Sequence, residues 1–101
     1  MESMRALPMP GASGSLTGIG APGARYAGVA LHAKSAASCI VRFWDNASAA
    51  SGTIIDVIEL TASGVGSFTS YALDGGGVFI ANGIYVELVS GTMPEGSIRV
   101  R

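Results

Sequence analysis

The run Ile84-Tyr85-Val86-Glu87-Leu88-Val89 alternates without a break, with Ile84, Val86 and Leu88 on one face and Tyr85, Glu87 and Val89 on the other. Successive side chains of a strand point to opposite faces, whereas a helical face repeats about every 3.6 residues. A period of two therefore commits this run to a half-buried strand. Phe79-Ile80-Ala81 and the pair Asn82-Gly83 stand just before it. Asn and Gly both tolerate the positive φ of a tight turn, so 79–89 reads as short strand, turn and long strand, a hairpin at the centre of a β domain.

Other runs follow the same logic. In 25–33, Ala27, Val29 and Leu31 oppose Tyr26, Gly28, Ala30 and His32; in 38–45, Cys39, Val41 and Phe43 oppose Ile40, Arg42 and Trp44. Both faces of 38–45 are bulky, which suits a central strand or one whose second face meets another protein. Residues 53–60 place Ile54, Ile58 and Leu60 on one face with Asp56 among them, and their β-branched side chains favour a strand over a helix. Residues 67–73, 78–81 and 97–101 complete the set, with Ile98 and Val100 inward and Ser97, Arg99 and Arg101 outward. Turn chemistry separates the runs: Lys34-Ser35, the loop 46–52, Ala62 to Gly66, Asp74-Gly75-Gly76-Gly77, and 90–96 around Pro94. About seven short strands at this spacing, in a chain of one-domain length, imply an all-β fold, a small antiparallel β-sandwich of jelly-roll or Ig-like type.

Residues 1–23 differ from the domain at 24–101. Pro8, Pro10 and Pro22 fall here among five glycines, which excludes a helix and leaves no alternation long enough for a core strand. Yet the segment carries Met4, Leu7, Met9, Leu16 and Ile19, which a solvated tail has no use for. An extended Gly/Pro-rich N-terminal arm held against a neighbouring chain accounts for both facts.

The formal net charge is −1 and Lys34 is the lone lysine, so no basic face is expected for nucleic acid or an anionic membrane. No apolar run approaches the ~20 residues of a membrane span, and the first residues lack the apolar core of a secretory signal. Cys39, the single cysteine, cannot form an intrachain disulfide and sits in an apolar run as a small core residue. Gly18-Ile19-Gly20-Ala21-Pro22-Gly23 matches the dinucleotide motif in letters only, because no strand precedes it and Pro22 interrupts it. His32 has no nucleophile and orienting acid beside it in sequence, and Asp45, Asp56, Glu59, Asp74, Glu87 and Glu95 are scattered singly, so no catalytic centre, cofactor or metal site is expected. Trp44 beside Arg42 has the chemistry of an interface hot spot, and Tyr85 with Glu87 that of a sugar platform or a cross-strand pair.

Three pieces in order, Ser48-Ala49-Ala50-Ser51-Gly52-Thr53, Phe79 to Val86, and Ser97-Ile98-Arg99-Val100, resemble the small β-sandwich virion proteins of tailed bacteriophages over about residues 25–101. The resemblance implies a structural, non-enzymatic role, most often capsid decoration (cement) on the phage head. Its partners would be the major capsid protein or another virion protein. The protein would be made in the host cytoplasm, end up in the virion, and act as a homo-oligomer, a trimer being favoured. The alternative is a tail, head–tail or fibre accessory part that binds glycans. Partner contacts are expected from Met4, Leu7, Met9, Leu16 and Ile19 of the arm and from Arg42, Trp44 and Tyr85 of the domain.

Overall fold

The alternating apolar faces are buried between two antiparallel sheets in the computed structural model, which describes residues 5–16, 24–33, 38–61, 68–72 and 77–101. Among these residues the fold is all-β, with strands β1 (Arg5–Pro8), β2 (Gly14–Ser15), β3 (Arg25–His32), β4 (Cys39–Asp45), β5 (Thr53–Leu60), β6 (Phe68–Ala72), β7 (Val78–Phe79), β8 (Tyr85–Ser90) and β9 (Glu95–Val100). One sheet runs β1-β9-β3-β6, with β7 alongside β3, and the other runs β2-β8-β4-β5. The pairing is nested: β1 with β9, β2 with β8, β3 with β6 and β4 with β5. β4 is central, flanked by β8 and β5, as its two bulky faces suggest.

The core lies between the layers. Tyr26, Val29, Leu31, Ile98 and Val100 from one sheet meet Cys39, Val41, Phe43, Ile58, Leu60 and Val86 from the other. Each large side chain removed from water stabilises by roughly 1.5–3 kcal/mol. The Tyr26 and Phe43 rings meet edge to face across the layers, 5.7 Å apart at 69°, the arrangement that sets a positive ring edge on a negative ring face.

Several expectations are corrected. The turn at Asn82-Gly83 does not close a hairpin, since β7 pairs with β3 and β8 with β4 and β2, so the chain crosses between sheets there. Two things hold the crossing. Ile80 and Ile84 are buried on either side of it, and the Asp45 carboxylate accepts the amides of Ala81 (3.1 Å), Asn82 (2.8 Å) and Gly83 (3.4 Å). Of the pair only Gly83 takes a positive φ, 146°.

Among the described residues the pairing shifts register at three places, one of them between Ile40 and Val41 against β8, and the other two change which face a side chain takes. One between Tyr26 and Gly28 turns Tyr26 inward with Val29 and Leu31, although counting by twos puts it on the outer face. Another, at the step from Phe43 to Trp44 against β5, pairs Trp44 with Ile54 and leaves Ile54 43% exposed, away from Ile58 and Leu60.

Residues 5–16 lie in this chain's own sheets, where the sequence suggests an arm reaching for a neighbour. β1 zips onto β9 over four residues and β2 onto β8 over two. The Met9 amide donates to the Gly96 carbonyl, Leu16 to Ile84, and the Leu88 amide to Ser13 Oγ. The turns at Lys34-Ser35, Ala62 to Gly66 and Asp74-Gly75-Gly76, and the glycine motif at 18–23, lie outside the described residues.

Candidate functional site

The outer face of the four-stranded sheet is the surface that the sequence and the structure single out together. Its inner face is fixed by Cys39, Val41, Phe43, Ile58, Leu60 and Val86, so alternation turns Ile40, Arg42 and Trp44 of β4 and Tyr85 and Glu87 of β8 outward. Cross-strand register then assembles them. Trp44 stands opposite Tyr85 on one side and Ile54 on the other; Arg42 stands opposite Glu87 and Val57. Directly opposed residues of an antiparallel pair share a face and touch.

Glu87 holds the cluster in place. Its Oε1 accepts the Trp44 indole N–H at 3.0 Å and lies 3.9 Å from Arg42 Nη1. Both members of the ion pair remain partly in water, so its Coulombic contribution is small. Its effect is to orient a half-buried indole that would otherwise be free to rotate. Around this polar centre Ile54 and Val57, the latter 50% exposed, present aliphatic surface to solvent. Aromatic rings with an arginine and exposed aliphatics make a surface suited to holding another molecule.

The sequence-derived contact residues divide cleanly. Arg42, Trp44 and Tyr85 come together on this face. Leu7, Met9 and Leu16 do not join them: Leu16 is buried in the core, and Leu7 and Met9 pack against it. Met4 and Ile19 lie outside the described residues. Sequence reasoning missed Ile54 as an outward residue, because the bulge that exposes it leaves no mark in the local alternation.

The chemistry elsewhere is structural. The Tyr26 hydroxyl donates to Asp56 Oδ2 at 2.6 Å, joining β3 to β5 across the core, and Asp56 Oδ1 accepts the Val57 amide. Burial above all, and then the hydrogen bond to Asp56 and its charge, push the Tyr26 hydroxyl far above the usual tyrosine range. His32 and Glu95 face each other across β3 and β9, 3.5 Å apart and at least half exposed. Cys39 is buried, and desolvation raises its thiol above the ordinary range, which keeps it in the unreactive protonated form. Among the described residues no three His, Cys, Asp or Glu side chains converge to hold a metal ion, and no helix is long and apolar enough to cross a membrane. In comparisons with protein-family models, curated proteins and solved structures, nothing matches this chain.

Proposed function

We propose that the chain is a virion structural protein of a tailed bacteriophage, a capsid decoration (cement) protein seated on the outside of the head, and that its sandwich is a jelly roll. What supports the jelly roll is the nested pairing of first strand with last, second with penultimate, and so inward to β4 with β5. A long antiparallel ribbon rolled on itself produces that order, and viral capsid and lectin domains use it. Architecture alone does not fix function, so one observation carries the functional part: Trp44, Tyr85 and Arg42 standing together, with Ile54 and Val57 exposed beside them. In this role the face, not the N-terminal segment, meets the capsid protein.

The test is to mix the purified protein with phage shells lacking it, sediment them and count copies per shell. Regular stoichiometric binding that falls for Trp44→Ala and Arg42→Ala is expected. Absence of shell binding overturns the decoration role. The aromatic pair beside Glu87 also favours a second reading, a glycan-binding accessory of a tail or fibre. For that reading a glycan array should give saturable binding that Tyr85→Ala abolishes.

A further inference from the structure

The net charge of −1 conceals a separation of charge between the two layers. On the β1-β9-β3-β6 sheet and its continuation, Arg5, Arg25, Arg99 and Arg101 stand against Glu95, a side-chain charge of +3. On the β2-β8-β4-β5 sheet, Asp45, Asp56, Glu59 and Glu87 stand against Arg42, a charge of −3; Asp56 turns inward to Tyr26 and Asp45 to the crossing amides, so the outer face itself carries Glu59 and Glu87 against Arg42. The arginines are also placed to act outward. Ile98 and Val100 are buried, so Arg99 faces away from the core, and Arg25 and Arg101 exchange both main-chain hydrogen bonds and therefore share that outer face. Among the described residues none of these three forms an ion pair. The floor around Arg99 is low: Ala6 and Gly28 are its cross-strand neighbours, and Ala30 pairs with Ser97.

The opposite layer offers the matching groups. Glu59 is exposed on its outer face, in register with Ile40 and next to Val57 on its own strand; Arg42 with Glu87, and then Trp44, follow further along the same face. A guanidinium set on small residues meets a surface of carboxylates and aromatic rings, which accept it by ion pairing and by stacking. Edge-to-edge association is opposed at β1, β2 and β5, three of the four end strands. β2 is two residues long, β1 contains Pro8, and β5 is bulged, with Asp56 occupying the Val57 amide.

We infer that copies of this chain associate head to tail, the arginine face of one against the Glu59/Trp44 face of the next. Such an interface is heterologous, joining two different surfaces, and it closes into a ring or propagates according to the rotation between neighbours. The inference concerns the chain's contact with itself; a neighbouring copy and a capsid protein compete for the Trp44 face, so an assembly leaves that face to a shell only at its open end.

Sedimentation of the full chain across a salt series, together with two charge reversals, tests it. Wild type should associate at low salt and dissociate as salt rises, because screening weakens partly exposed charge pairs. Arg99→Glu and Glu59→Arg should each weaken association by at least ~10-fold. Mixed together, the two variants should form a complex that neither forms alone. Each retains one wild-type face, and the pair of intact faces makes one complete junction. Circular dichroism verifies that both variants fold, and the wild-type salt series can overturn the inference without either. Wild type that stays monomeric at low salt overturns the inference and leaves the arginine face to another anionic partner. Association untouched by Arg99→Glu or by Glu59→Arg also overturns it, pointing instead to a symmetric contact of one face with itself.

Discussion

Tyr26 and Asp56 tie the two layers together through a side-chain hydrogen bond, 2.6 Å long, between β3 and β5. The folded state holds the Tyr26 proton more tightly than the unfolded chain does. That stabilisation is therefore complete below about pH 10, where tyrosine in the unfolded chain ionises, and declines as the pH rises further. Tyr26→Phe should cost about 1.5–3 kcal/mol at neutral pH, the range for a hydrogen bond to a charged group. It should also flatten the alkaline limb of stability. Urea melts of both proteins from pH 7 to 11 check the two expectations, and equal alkaline slopes would contradict the assignment. Sequence alternation alone puts this tyrosine outside, and only the bulge at Ala27 turns it toward Asp56.

At the scale of elements, the crossing between sheets depends on Asp45 more than on its own turn residues. Asp45→Ala removes the acceptor of three amides and should cost about 2–3 kcal/mol. Amide exchange at residues 81–83 should speed up well beyond the change elsewhere, which hydrogen exchange resolves directly. The first two strands make a second element-level case. Removing residues 1–16 strips β1 from β9 and β2 from β8 and takes Leu16 from the core. The midpoint of thermal unfolding should fall by more than ~10 °C, because large-to-small loss at a core leucine alone costs ~2–5 kcal/mol and each kcal/mol is worth ~4–8 °C at this size. A truncated chain as stable as the full one would show the segment to be an appendage. Pro8 and the glycines make these strands hard to read from sequence. They are short, and their pairing partners lie some 70 to 95 residues further along the chain.

For the whole molecule, the two faces differ in kind: one carries arginines, with small residues around Arg99 and the exposed Phe79 opposite Arg25, and the other aromatic rings, aliphatics, acids and Arg42. Trp44 is the single tryptophan and lies on the second of these, so its fluorescence reports on that face alone. Quenching by acrylamide should fall in step with the fraction bound, whether the occupant is a shell or another copy. Trp44→Ala should cost less than ~2 kcal/mol of fold stability, since the ring is only half buried, while weakening binding more than ~10-fold. A binding loss no larger than the stability loss would remove Trp44 from the contact.

By itself the sequence determined the strands and most of their inward faces, because alternation and turn chemistry are local properties written into neighbouring residues. The bounds of β3, β4, β5 and β8, and the burial of Val41, Phe43, Val86, Ile98 and Val100, follow from it. The gathering of Arg42 with Trp44 and Tyr85 was half legible: their outward parity was in the sequence, their adjacency was not. Tertiary structure decided the rest. Register between distant strands, the bulges that reverse Tyr26 and Ile54, the crossing at Gly83 and the seating of residues 5–16 all arise from pairing across the fold. The separation of charge between layers arises the same way. Arg25 and Arg99 are distant in sequence, and they meet on one face because β3 pairs with β9. Their long-range electrostatics belongs to the topology, which no local pattern records.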